Sequence, residues 1–392
     1  MERTLKSNIW KLYVIKALRW FMLVMPIIVL FFQENGLSMC EVFILQSVFS
    51  IAIVVSEVPS GYLADVIGRK VSIVAGCILA FAGFAAYSLS YGFWGFLIAE
   101  LFLGFSSSFI SGADSAMIYD TLLEVGSEDE YKKIEGRMLS VGNFSEGVAG
   151  LIGGFLAVVS LRTPFYFEAA ITFFSIPVAL SLVEPARHKF DNSEGSVKSI
   201  LRIVKYSLHE HAEVKWLIIY SALVTVSTLT MVWFIQPYLK LVGLPLALFG
   251  VVWAALQFSV GIFSFYAHKI ELFVGRKATL ISLIVLTVIG YCLLSIFQSI
   301  WAIGFILIFY FVRGISYPVL KDYINRIITS DIRATVLSVT SLVRRLIFSI
   351  FGPIIGWISD LYSLSTALAL CGIIFLFWGS ISLLLLHRHK AL

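Results

Sequence analysis

The side chains here that could do chemistry are mostly ionisable groups set inside long apolar runs. Glu100 and Asp114 stand with Gly104, Ser107 and Ser111 in a narrow arc at the helical period. A rise of 1.5 Å per residue puts the two acids about 21 Å apart along that stripe. Glu146 follows among small residues, Gly142, Ala149, Gly150 and Gly153, a face suited to close helix packing. Lys16 and Arg19 sit beside Trp20, and Arg313 stands one turn before Tyr317. Ser221, Thr225, Thr228 and Gln236 share one side of an otherwise apolar run. Ionisable groups at membrane depth are costly, so each is a functional candidate. A carboxylate at the depth of Glu146 can take up and release a proton as water access changes. A structural ion pair with Arg344 or Arg345 is the alternative for Glu146, and those two arginines point about 100° apart on a helix. For Lys16 and Arg19 the alternative is snorkelling to headgroups.

Composition says where these groups live. Of 392 residues, 59% are hydrophobic and 14% charged, with a mean hydropathy of +0.94. A soluble domain is nearer half apolar and one quarter charged, so the excess faces lipid. Soluble enzymes and nucleic-acid binders are set aside. Runs of about 18 or more apolar residues are membrane-helix candidates. They lie near 9–32, 40–63, 72–91, 93–120, 137–160, 165–183, 214–238, 245–267, 277–297, 299–326, 335–358 and 365–386, giving spans 1 to 12. Span 1 is too long for a signal-peptide core and reads as retained. Ser90-Tyr91-Gly92 and Gln298-Ser299 are tight hairpins.

With an even count, both termini share one side. Placing them inside puts about 22 of the 29 basic residues in inner segments and leaves only Arg162 and Lys240 in outer loops. Both termini are expected in the cytoplasm, and the net charge of +5 follows topology rather than a polyanionic partner. One stretch, Glu184 to Lys215, breaks the apolar pattern. There Val197, Ile200, Leu201, Val204 and Leu208 oppose Lys198, Arg202 and Lys205, as in a basic amphipathic helix on the inner surface. The expected domains are 1–185, a linker at 186–213, and 214–392. No cofactor or metal is expected. The four cysteines lack paired spacing, there is no Walker loop, and His209-Glu210-His211 is followed by Glu213 rather than a third histidine.

The halves repeat. Gly68-Arg69-Lys70 returns as Gly275-Arg276-Lys277, Met138-Leu139-Ser140-Val141 as Val336-Leu337-Ser338-Val339, and Gly150-xxx-Gly154 as Gly352-xxx-Gly356, each about 200 residues on. Parallel six-helix repeats are a transporter design with a midplane substrate site. The stretch Gly61-Tyr62-Leu63-Ala64-Asp65-Val66-Ile67-Gly68-Arg69-Lys70 resembles the signature loop between helices 2 and 3 of the major facilitator superfamily. The resemblance implies an all-α integral membrane fold, with twelve transmembrane helices as two six-helix pseudo-symmetric bundles. It implies that Glu57, Gly61, Asp65, Gly68, Arg69 and Lys70 form a conformational latch to span 11. Asp65 lies where it could accept N–H bonds at a helix start.

The resemblance also makes spans 1, 4, 7 and 10 the cavity-lining set. That nominates Lys16, Arg19, Glu100, Ser107, Ser111, Asp114, Thr225, Thr228, Gln236, Arg313 and Tyr317 for substrate, and Glu146, Glu100 and Asp114 for proton coupling. Trp20, Trp233, Tyr238 and Tyr310 are aromatic candidates beside a substrate. Asp120, Glu124, Glu168 and Asp360 are expected to be solvated. Drug exporters of the superfamily carry a span-5 signature ending Gly-Pro-x-x-Gly-Gly. Here Ala149-Gly150-Leu151-Ile152-Gly153-Gly154 keeps the terminal pair and lacks the proline, and Glu100 replaces the usual span-4 arginine before Gly104. The expected function is proton-coupled efflux of a small amphiphilic molecule by alternating access. An importer of an organic anion, nutrient or siderophore is the alternative, and a non-transporting sensor a third. The partners are the small molecule, protons and the bilayer of the cell membrane, a bacterial inner membrane. The chain is taken as a monomer.

Overall fold

The computed structural model of this protein describes residues 2–185, 211–329 and 332–389. The amphipathic helix expected around Val197 to Leu208, and His209-Glu210, lie outside the described residues. Within them every regular element is helical: α1 (Glu2–Trp20), α2 (Ile28–Glu34), α3 (Met39–Val66), α4 (Arg69–Leu89), α5 (Phe93–Ile110), α6 (Ala113–Glu124), α7 (Tyr131–Val159), α8 (Thr163–Leu180), α9 (Ala212–Leu241), α10 (Phe249–Val274), α11 (Arg276–Ile296), α12 (Ile306–Ile327), α13 (Arg333–Leu361) and α14 (Leu364–Arg388). Among the described residues, eleven helical stretches are long and apolar enough to cross a membrane. Spans 2 to 12 account for them.

Span 1 is not one helix. The chain leaves helical geometry between Trp20 and Ile28. Pro26 supplies no N–H there, and the amides of Leu23 and Val24 turn to the carboxylate of Glu168, which accepts from Leu23 at 2.6 Å. Glu168 is therefore fully buried rather than solvated; it is needed to satisfy the amides that the break releases. Span 4 is broken too. Gly112, at φ +83°, separates α5 from α6, so Glu100 and Asp114 stand on two helices and the continuous stripe between them is interrupted.

Contacts group the described residues into two compact units. Unit 1 gathers the N-terminal half with Pro245–Gln257, and unit 2 gathers the C-terminal half with Ser38–Phe43. Glycine seams explain both additions. In unit 1 a Cβ on Gly154 would lie 2.7 Å from Gly250 Cα, and one on Gly150 2.8 Å from Trp253 Cδ1. In unit 2 a Cβ on Gly356 would lie 2.7 Å from the Met39 carbonyl oxygen, and one on Gly352 2.8 Å from Phe43. The repeated glycine pair thus admits the same kind of backbone approach in each half. Asp360 shares in the second seam. It accepts from the amides of Met39 at 2.8 Å and Cys40 at 2.7 Å, capping α3, so it is a helix cap rather than a merely solvated acid.

The cores are ordinary hydrophobic packing. Unit 1 closes around Leu12, Ile73, Met117 and Ala179, and unit 2 around Leu217, Val224, Leu283 and Val312. A further aromatic cluster in unit 1 joins Phe31, Phe32, Tyr87, Phe96 and Phe165, with Phe31 and Phe165 centroids 4.1 Å apart.

Candidate functional site

In unit 1, α1 brings Lys16 and Arg19 to the start of α6. Asp114 attracts both cations, and Glu135 of α7 attracts Lys16. Lys16 also lies 4.9 Å from the Trp20 ring centroid, while Arg19 Nη2 donates to Ser106 Oγ at 3.2 Å. Asp114 accepts from the Ser115 amide at 2.8 Å. The Ser115 hydroxyl donates to Glu135 and accepts from Tyr131 at 2.7 Å. Lys16, Arg19 and Asp114 line a small cavity of about 10 Å³, roughly the room of one water. Two cations and two carboxylates make this network neutral overall. The break at Gly112 aims Asp114 at Lys16 and Arg19. Of its other stripe partners, Ser107 is half-buried and Ser111 exposed.

Glu100 has a different setting. It is 3% exposed, inside unit 1, and accepts from Tyr87 OH at 2.6 Å and from Gln46 Nε2. A Cβ on Gly104, one turn away, would lie 3.0 Å from the Phe49 carbonyl oxygen, so this face packs closely on α3. Among the described residues no cation pairs with Glu100. Glu146, also buried, accepts from Gln257 Nε2. Sequence reasoning missed Gln46, Tyr87 and Gln257. Their signal was the one used for the acids, a polar group in an apolar run.

Unit 2 collects cations. Arg313, Tyr317 and Lys321 recur every fourth residue along α12, and the Lys321 ammonium lies 5.8 Å from the Tyr317 ring centroid. Arg344 of α13 lies within electrostatic reach of Arg313 and Tyr317 and donates to Ser341 Oγ at 3.1 Å. Tyr317 is 63% exposed, whereas Trp233, Tyr238 and Tyr310 are buried. On α9, Thr225 and Thr228 donate to their own helix, to the Ser221 carbonyl at 2.8 Å and the Thr225 carbonyl at 3.0 Å. Gln236 is buried.

The loop after α3 is tied into unit 1. Gly68, at φ +138°, turns the chain into α4. Glu184 caps that helix by accepting from the Arg69 and Lys70 amides, both at 2.8 Å. Arg69 pairs with Asp120 through Nε at 2.5 Å and with Asp65 at 3.6 Å. Asp120 is therefore an ion-pair partner and not a solvated acid. The Asp65 side chain is 67% exposed, and Glu57 and Gly61 are exposed. The second copy differs in chemistry. Gly275 again turns the chain at positive φ, but the Arg276 guanidinium lies 4.6 Å from the Tyr323 ring centroid, and Tyr323 OH donates to Glu271 at 2.7 Å.

A family model described as Major Facilitator Superfamily matches residues 12–353. Among curated relatives, an uncharacterized MFS-type transporter, MJ1560 of Methanocaldococcus jannaschii, is 25% identical over 248 residues, 60% of this chain and 62% of that protein. The quinolone resistance protein NorA of Staphylococcus aureus is 25% identical over 161 residues, 41% of this chain and 40% of that protein. The matches therefore span less than two thirds of these relatives' lengths. Among solved structures, a variant of the nucleoside transporter NupG aligns with a TM-score of 0.80 at 14% identity, covering 99% of each chain. A bacterial homolog of the human lysosomal transporter Spinster aligns at 0.78 and 14% identity, covering 98% of this chain and 97% of that one.

Proposed function

The chain belongs to the Major Facilitator Superfamily, and from that premise we propose that this secondary transporter exports a small amphiphilic molecule by proton-coupled alternating access. The observation that carries the coupling is Glu100. It is a buried carboxylate held by two neutral donors, Gln46 and Tyr87, with no cation against it among the described residues. The charge of such a group is stable only beside water or a counter-ion, so its proton comes and goes with water access. Glu146 and Asp114 are the further coupling candidates. Outward movement is supported by the stretch of likeness to the quinolone resistance protein and by the retained Gly153-Gly154 pair of α7. The residues proposed to meet the solute are Lys16, Arg19, Ser107, Ser111 and Asp114 in unit 1, with Thr225, Thr228, Gln236, Arg313 and Tyr317 in unit 2.

Flux in inverted and right-side-out vesicles, with a pH gradient imposed and then collapsed, tests this. Export by proton antiport drives uptake into inverted vesicles that are acid inside, and Glu100→Gln abolishes the gradient-driven part while leaving downhill exchange. Flux that ignores the gradient removes Glu100, Asp114 and Glu146 from coupling together. Glu57, Gly61, Asp65, Gly68, Arg69 and Lys70 are proposed as the latch, on the cytoplasmic side together with both termini. Asp65→Asn then slows transport at unchanged expression, and undiminished transport refutes the latch.

A second reading rests on the cations of unit 2. Arg313, Lys321 and Arg344 suit an organic anion, as in proton-coupled import. Acid-outside uptake into right-side-out vesicles would select it.

A further inference from the structure

Where α6 turns into α7, unit 1 holds a cavity of about 470 Å³ between α1, α6 and α7. Three cationic side chains, Lys6, Lys133 and Arg137, line it against one carboxylate, Glu130. Lys133 and Arg137 are one turn apart on α7, and both are exposed. Part of the wall is apolar, with Ile9, Leu122 and Ile134. Tyr13 completes it. None of these residues belongs to the Asp114 network or to the partners of Glu100.

The chemistry matches a phosphate carried on an apolar body. Inorganic phosphate would reach the cations but leave the apolar part of the wall, with Ile9, uncovered, whereas a phospholipid meets both, its phosphate against the cations and the start of its acyl chains against the apolar side. This end of unit 1 carries the basic segments that assign it to the cytoplasmic side, where anionic headgroups meet basic pockets between transmembrane helices. We propose that the cavity binds the headgroup of an anionic phospholipid, with Lys6, Lys133 and Arg137 around the phosphate.

The test titrates the purified full chain in detergent with short-chain phosphatidylglycerol and follows thermal unfolding. Short-chain phosphatidylcholine and inorganic phosphate form parallel arms. Phosphatidylglycerol raises the midpoint saturably, and the other two do not at matched concentration. Lys133→Gln and Arg137→Gln each weaken the apparent affinity about fivefold, and together about 25-fold. Glu130→Gln tightens it. That variant carries the test if the double variant does not fold. Equal stabilisation by phosphatidylcholine, saturation by inorganic phosphate alone, or unchanged affinity in Glu130→Gln and the double variant overturns the proposal.

Discussion

Arg162 donates to three carbonyls at the end of α4, those of Tyr87 at 3.1 Å, Ser88 at 2.9 Å and Ser90 at 2.8 Å, and to Asn35 Oδ1 at 2.9 Å. Its guanidinium also lies 4.0 Å from the Tyr91 ring centroid. A cation is favoured where a helix presents its last carbonyls, and hydrogen bonds to a charged group are worth about 1.5–3 kcal/mol each when buried. Arg162 is half-buried and three of its four bonds share one nitrogen, Nη1, so the bonds do not add in full. Arg162→Ala should destabilise the protein by about 2–4 kcal/mol, read as a fall in thermal unfolding midpoint in detergent. Arg162→Lys should recover only part, because an ammonium lacks the planar fork that reaches several oxygens at once. An unchanged midpoint for the alanine variant removes Arg162 from this role. In the sequence Arg162 is one of two outer basic residues and nothing more. Its partners are spread over more than a hundred positions, and no local pattern announces them.

At the scale of elements the glycine seams give the sharpest prediction. A Cβ on Gly250 would lie 2.3 Å from the Gly150 carbonyl oxygen, whereas Gly261, on the same helix, has nothing within 4 Å. Gly250→Val should therefore cost about 1–3 kcal/mol through overpacking, while Gly261→Ala should be neutral or slightly stabilising by helix propensity. Thermal unfolding of the two variants side by side checks this, and equal behaviour would contradict the seam. The small-residue face of α7 was legible because helical period and residue size are local properties. Spans 2 to 12 were legible for the same reason. The breaks were not. The interruption after Trp20 is held by Glu168, which lies 145 positions away from Leu23, and that at Gly112 depends on one glycine among 28 taking positive φ. Glu100 was singled out as an acid set in a membrane span, and it is buried, yet its direction was not readable, since a helical wheel fixes an arc and not the neighbour that the arc faces.

For the molecule as a whole, the two units differ in how they balance charge. In unit 1, Lys16 and Arg19 are offset by Asp114 and Glu135. In unit 2, the described carboxylates are engaged elsewhere: Glu271 with Tyr323, Asp322 with Arg326, Asp360 with the start of α3, and Glu41 with Ser38. Glu213 belongs to the first turn of α9. Arg313 and Arg344 are thus left to repel one another across a polar patch that includes exposed Tyr317. Like charges so placed favour any ligand that brings an anion. A thermal-shift panel of amphiphiles matched in size but carrying a carboxylate, no charge or an ammonium reads this directly. The wild type should respond most to the anionic member. Arg313→Gln combined with Arg344→Gln should weaken that response at least tenfold, one charge-assisted hydrogen bond being worth about 1.5–3 kcal/mol, and leave the neutral member unchanged. A preference for the ammonium compound in the wild type, or an anionic response untouched by both substitutions, would separate these arginines from the cargo and return them to a structural role within unit 2.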